Sequence, residues 1–383
     1  MSKDKTREKK REHFPLLRHL GFLFPPVMLF AVFLIAREYK SSVSFFTEKI
    51  SDPIRMLLGR FNSRFSFSVA EIIYGLLIFY AVLHIVITVI KIKRRRPLFT
   101  VVMNRLVTLF TVIAYIVSIY SMLFGIDYYK PSFAQSESIE ISEITDEKLY
   151  AVASYFLTKA NEYAPLVARD SEGSFSEPLD NIFSYAVNSY DGIVKIYPSL
   201  KSEILRPKAI YFSKIMSYAG FTGVYFPFTG ESNINIDSPH AYIPATIAHE
   251  LAHQKGITDE SECNFIGILA ATTSDNAAYI YSGYLTGLVH LMNNLAANDV
   301  DMYTTLRGQF CPELEKDWTA SSEYWSKMDL PITHLIDRIY DAYLKSYGIT
   351  SGVKSYSECV KLLVTYYISY VPIIPDSENS MEI

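Results

Sequence analysis

Cysteine is scarce in this chain: among 383 residues there are three, Cys263, Cys311 and Cys359. No two are spaced as CxxC, which excludes a thiolate zinc site and a dithiol redox motif. A Cys311–Cys359 disulfide would suit an extracytoplasmic location, but three unpaired and mostly buried thiols are the simpler reading. The chain also lacks internal repeats and low-complexity tracts. Acidic residues are sparse in the first third. Residues 1–126 hold 19 Lys and Arg against 7 Asp and Glu, a net +12, whereas residues 127–383 hold 17 against 33, a net −16. A basic portion suits an anionic membrane and an acidic one suits bulk water. The basic residues cluster beside apolar runs, so nucleic acid is not an expected partner.

Half of the residues are hydrophobic, and much of that content is concentrated in three uncharged stretches at 20–36, 72–90 and 106–126. About 20 apolar residues cross a bilayer core, so three transmembrane helices are expected, the first interrupted by Pro25-Pro26. The first is not read as a cleaved signal peptide, because Arg37-Glu38-Tyr39-Lys40 follows it without a small-residue cleavage pattern. Seven basic residues precede the first stretch, and six lie between Lys91 and Arg105. Positive flanks stay cytoplasmic, so both segments face the cytoplasm and everything after Ile126 lies outside the cell. The Pro53–Phe67 segment reads as an amphipathic helix on the outer membrane surface.

From 127 to 383 the pattern is that of a globular domain. Helical periodicity recurs at 147–164, 178–190, 241–254, 259–271, 277–297 and 334–347. Between Lys208 and Asp237, β-branched and aromatic residues punctuated by Gly220, Gly223, Pro227 and Gly230 predict short strands. The apolar stretch Ala277–Met292 is read as a buried helix of this domain rather than a fourth span. The fold class expected is therefore α+β and mostly helical, three transmembrane helices (1–126) followed by a domain with a small sheet (127–383).

The chemistry concentrates at His249-Glu250-Leu251-Ala252-His253. Histidines at i and i+4 stack on one helix face, where both imidazoles reach one zinc ion. Glu250 then lies beside the metal, placed to take a proton from bound water. Gly256 stops this helix. Thr258 is placed to cap the next one, with Asp259 and Glu260 in its first turn. A carboxylate early in that second helix can return to the metal as third ligand. Glu260 and Glu262 lie about 200° apart on a helical wheel, so one of them faces the metal. Glu262 shares its face with Phe265, Ile266 and Leu269 and is the expected ligand; Glu260 is the alternative, otherwise solvated.

Upstream, Glu231, Asn233 and Asn235 are candidate substrate-binding residues. Asn233, Asn235 and Asp237 alternate with Ile234 and Ile236 as in a half-buried strand. An edge strand before the active-site helix would pair with an extended peptide through main-chain hydrogen bonds; an ordinary strand with polar outward residues explains the pattern equally well. Downstream, Tyr284 and His290 are candidates to stabilise the oxyanion, against a background of 29 tyrosines.

These segments taken together resemble a known family. Pro207-Lys208, Pro227-Phe-Thr-Gly-Glu-Ser-Asn-Ile-Asn235, His249-Glu-Leu-Ala-His-Gln254, Glu262-Cys-Asn-Phe265 and Tyr281-Ser-Gly-Tyr284 are similar to the domain of unknown function 3810 family, as is Phe67-Ser-Val69. The resemblance implies a bacterial membrane protein with N-terminal spans and a zincin-like, gluzincin-type peptidase domain. It implies Glu262 as third zinc ligand, in the place of a family Glu-Ala-Asn; Cys263 departs from the usual alanine. The function expected is a membrane-anchored zinc metallopeptidase with Glu250 as general base, its partners a peptide or protein substrate and the lipid bilayer. The alternative is a non-catalytic zinc-binding sensor or scaffold of the cell envelope. An intramembrane protease is disfavoured, since Pro239–Pro244 and Lys255 bracket too short a segment around the motif to cross a bilayer.

Overall fold

The computed structural model describes residues 15–94, 97–347 and 356–371. Two compact units emerge: residues up to 58 together with 69–130, and residues 59–68 together with 131 onward. The change of unit thus falls at residue 130, and a ten-residue segment ahead of the second apolar stretch belongs with the C-terminal unit.

The first unit contains helices α1 (Pro15–Ala36), α2 (Asp52–Asn62, whose last turn belongs to the second unit), α3 (Val69–Lys93) and α4 (Leu98–Leu123). A shorter helix, Lys40–Phe46, leads through a π-turn into α2. α3 and α4 are long and apolar enough to cross a membrane, and they point Ile78, Phe79 and Phe99 outward. α1 packs along α4; among the described residues its apolar part is Gly21–Ala36, and two helices qualify rather than the three expected. Several polar groups of this unit are turned inward. Arg55 and Asp127 form a buried ion pair at 2.6 Å, Thr47 donates to the same carboxylate at 2.8 Å, and Ser118 donates to the Pro26 carbonyl at 2.7 Å. The helix expected over 53–67 ends at Asn62, with turns after it.

The second unit is helical around a three-stranded sheet. Its principal helices are α5 (Asp146–Tyr163), α6 (Ile243–Gln254), α7 (Glu260–Thr272), α8 (Ala277–Asn298), α9 (Pro312–Met328), α10 (Pro331–Ser346) and α11 (Tyr356–Tyr370). The strands β1 (Lys208–Ala209), β2 (Gly223–Phe226) and β3 (Glu231–Ile234) lie in the order β1-β3-β2, with β1 parallel and β2 antiparallel to β3. α5, α7 and α11 surround α8, and Phe156, Phe265, Tyr279 and Tyr281 are buried among them. Burying tyrosine requires a partner for each hydroxyl. Tyr279 donates to the Ile182 carbonyl at 2.9 Å and Tyr281 to Asp317 at 2.6 Å. The three cysteines are free.

Candidate metal centre

α6 starts behind Pro244, whose missing N–H costs nothing in the first turn. It ends at Gly256, which adopts φ +83°, a conformation open to glycine at little cost. The Gly256 N–H donates to the His253 carbonyl and Ile257 to that of Ala252, closing the helix and reversing the chain. Asp259, rather than Thr258, caps α7: its carboxylate accepts from the N–H groups of Ser261 and Glu262. α7 then returns against α6 at Gly267, where a Cβ would stand 2.8 Å from the His249 backbone nitrogen. Only a glycine allows so close a crossing, and the crossing brings the first turn of α7 over the histidine face of α6.

The result is a cluster of three donors. His249 Nε2 lies 3.3 Å from Glu260 Oε2, and His253 Nε2 lies 3.6 Å from Glu260 Oε1. The ligand atoms of His249, His253 and Glu260 all fall within 4.8 Å of one another, a group able to hold a metal ion. The two imidazole rings stand 4.9 Å apart and nearly perpendicular. His253 Nδ1 meets the Ile257 carbonyl at 2.8 Å, which fixes the ring and leaves Nε2 directed at the cluster. Burial disfavours the His253 imidazolium, but the Cys263 thiol and Glu260 carboxylate outweigh it and hold its pKa well above the usual value. Glu260 responds in kind. Burial opposes its charge, yet the two histidines keep its pKa well below the carboxylate range.

The carboxylate that joins the histidines is thus Glu260, not the expected Glu262. Glu262 points to the other side of α7, where it accepts from the backbone N–H groups of Phe133 at 2.7 Å and Ala134 at 2.8 Å. These donors open a four-residue helix, Phe133–Ser136, and a carboxylate satisfies such orphan groups well. Burial nevertheless pushes the Glu262 pKa upward. The Cys263 thiol does not point at the cluster. Its sulfur lies 3.3 Å from His253 Nδ1 and 3.5 Å from the Ile257 carbonyl, on the outer side of the ring.

Glu250 is buried against the edge strand β2. A Cβ at Gly223 would come within 2.5 Å of its Oε1, and its carboxylate accepts from the Tyr225 backbone. Its Oε2 is buried with no hydrogen-bond partner. Burial raises the pKa of Glu250, with the histidines pulling the other way. An orphan acceptor beside three converging donors is unusual enough to require a reason.

The remaining expected residues fall elsewhere. β3 is the central strand, so it cannot serve as a substrate-pairing edge; β1 and β2 are the edges, and Glu250 lies against β2. Both faces of β3 are covered. Ser232 faces α6, donating to the Glu250 carbonyl at 3.0 Å. Asn233 accepts from Ser68 at 2.7 Å, and Glu231 is buried. Asn235 donates to Ser217 Oγ at 3.0 Å and to the Phe221 carbonyl at 2.8 Å, tying down the neighbouring turn. Tyr284 lies in the aromatic core, 5.2 Å from Phe156 and 6.2 Å from Tyr155, away from the cluster. His290 stands near enough to sense His249. Burial first, then that neighbouring charge, pushes its pKa down to about 4. One residue at the centre has no signal in the sequence: Tyr340 of α10, one of 29 tyrosines, donates its hydroxyl to Glu260 Oε1.

A family model described as protein of unknown function (DUF3810) matches residues 46–364. No curated protein matches the chain, and no solved structure does.

Proposed function

Since the chain belongs to the DUF3810 family, whose description assigns no reaction, we propose from the site itself that it is a membrane-anchored zinc metallopeptidase. The observation that carries the reading is the buried, unpartnered Oε2 of Glu250 beside the cluster of His249, His253 and Glu260. Two imidazole nitrogens and a carboxylate oxygen are a donor set that suits zinc, and three protein ligands are characteristic of a catalytic rather than a structural site. An ion held by these residues would supply Lewis-acid polarisation of water and of a substrate carbonyl.

The protein's own contribution follows from the geometry. Glu250, its pKa raised by burial, is a better base than an exposed carboxylate, and its free Oε2 accepts the proton of the attacking water. The same oxygen then returns that proton to the leaving amine. Cys263 and the Ile257 carbonyl hold His253 from behind, and Tyr340 holds Glu260. A peptide suits the site because β2 is an edge strand with Glu250 against it, and an extended chain recognises such an edge by backbone pairing.

For the anchoring, α3 and α4 cross the membrane and α1 crosses as a third span. It is supported by its packing on α4 and by Phe24 and Ile35, 63% and 64% exposed on its surface. With three crossings and cytoplasmic basic flanks, the catalytic unit is extracytoplasmic. An alkaline phosphatase fusion after Pro131 should be active, and one at Arg96 inactive. The chemistry is tested with Glu250→Gln, which should fold and keep metal yet lose hydrolysis of an extended peptide library. Turnover equal to that of the parent rules out the mechanism. Absence of hydrolysis in the metal-loaded parent moves the reading to a zinc-binding scaffold.

A further inference from the structure

The segment 59–68, the last turn of α2 and the loop after it, belongs to the second unit. Gly59 fits so tightly that a Cβ would stand 2.3 Å from Leu205 and 2.9 Å from the Gly230 carbonyl oxygen. Asn62 donates to the Thr229 carbonyl at 2.9 Å, and Ser68 donates to Asn233. The buried ammonium of Lys208 reaches the carbonyls of Phe65 and Asn62. Arg60 and Glu203 pair at 2.6 Å. A loop held by this many polar contacts is an ordered part of the domain.

Its aromatic side chains nevertheless point away from that domain. Phe61, Phe65 and Phe67 are 53%, 37% and 50% exposed and contact one another in sequence, Phe61 edge-on to Phe65 at a centroid distance of 6.0 Å and Phe65 tilted against Phe67 at 5.4 Å. The Arg64 guanidinium lies 5.5 Å over the Phe61 ring. Just beyond Lys208 and β1, the chain presents Tyr211, Phe212 and Ile215, which are 85%, 59% and 66% exposed. Ordered aromatic groups of this kind, interleaved with arginine and lysine, match the amphipathic headgroup zone of a bilayer. The chain supplies the occupant. Ser68, the last residue of the loop, is followed directly by Val69, the first residue of the apolar helix α3.

We propose that Phe61, Phe65 and Phe67, with Tyr211, Phe212 and Ile215, form a bilayer-contacting surface that seats the catalytic unit on the lipid headgroups. A consequence for substrate follows from β3. Asn233 receives the loop on one side of this strand, while Ser232 holds the Glu250 carbonyl on the other. Only the thickness of the sheet separates the lipid-facing loop from the helix bearing the histidines. The substrates are therefore peptide segments presented at the membrane surface. The lipid-facing surface rests on the anchoring part of the proposed function, and its consequence for substrate rests also on the proposed chemistry.

The test uses the full chain in nanodiscs containing anionic lipid. Nitroxide is attached singly at Phe61→Cys, Phe67→Cys and Ile215→Cys in a Cys311→Ser background, Cys263 and Cys359 being buried. Accessibility to oxygen, which partitions into lipid, is compared with accessibility to a water-soluble nickel chelate. Phe79→Cys within α3 is the membrane control, and Val300→Cys, 64% exposed on the second unit, is the water control. The three loop and patch sites should show oxygen-to-nickel ratios several-fold above Val300. Ratios equal to Val300, with Phe79 in lipid, overturn the lipid-facing surface alone. If Phe79 also reads as aqueous, the membrane reading falls with it.

Discussion

The two sides of the first turn of α7 carry the same functional group and put it to different use. On one side Glu260 meets two imidazoles and a tyrosine hydroxyl; on the other Glu262 meets two backbone N–H groups. Both carboxylates are desolvated, but their pKa values move in opposite directions, Glu260 down and Glu262 up. The difference shows that burial alone does not decide whether a carboxylate stays charged. Cationic partners hold Glu260 ionised, while neutral amide donors only partly offset the burial of Glu262.

The strongest way to break this contrast is to remove each carboxylate. Glu260→Ala should lower zinc affinity by at least about 100-fold, measured by chelator competition, because it deletes one of three donors. Glu262→Ala should leave metal affinity within a few-fold of the parent. Its expected effect is on stability, a loss of about 2–4 kcal/mol, since the buried N–H of Phe133 and that of Ala134 lose their acceptor. Metal loss in Glu262→Ala with Glu260→Ala unaffected would reverse the assignment.

The sequence did not distinguish the two because α7 is buried on nearly every side: Ser261, Glu262 and Cys263 are covered, and so is every residue from Phe265 to Ala271. A helical wheel separates inside from outside, and here both glutamates face inside. The histidine pair and Glu250 were legible because their spacing is local, as was Gly256 as a helix stop. The helices α5, α6, α7, α8 and α10 also follow their periodicity closely, whereas α9 (Pro312–Met328) and the short helices Ser213–Tyr218 and Val300–Arg307 were not anticipated. Contacts between distant parts of the chain were not legible. Asn233 read as an outward strand residue, because nothing local announces that Ser68, 165 positions upstream, will cover it. Tyr340 lies 80 positions from Glu260, on a helix whose pattern indicates amphipathicity but not the site it reaches.

Tyr340 sharpens the contrast from the metal side. Its hydroxyl restrains Glu260 without belonging to the donor set. Tyr340→Phe should weaken zinc binding by about tenfold, in the range seen when a ligand's supporting hydrogen bond is lost. Stability should change little. An unchanged affinity would mean that the histidines alone orient Glu260.

The smallest expected effect tests whether charge is confined to the His249–His253–Glu260 group. His290 is near His249 but outside that group. Its pKa is pushed down to about 4, by burial first and then by the charge of His249. An unfolded histidine titrates near 6.5. Well above pH 6.5 neither state holds a proton on this ring, so His290 contributes no pH dependence there. As the pH falls through about 6.5 the unfolded chain takes up a proton that the native protein refuses. Native stability is therefore lost progressively down to about pH 4. His290→Gln removes this term while keeping a polar side chain of similar reach. With chelator present throughout, so that metal release does not contribute, the melting temperature of the parent should fall more between pH 7 and pH 5 than that of His290→Gln. The difference should be on the order of 1 kcal/mol, reduced from the full shift because the ring is partly exposed. Equal acid sensitivity in the two proteins would show that His290 is protonated at the same pH folded and unfolded, and that the positive charge near His249 does not reach it.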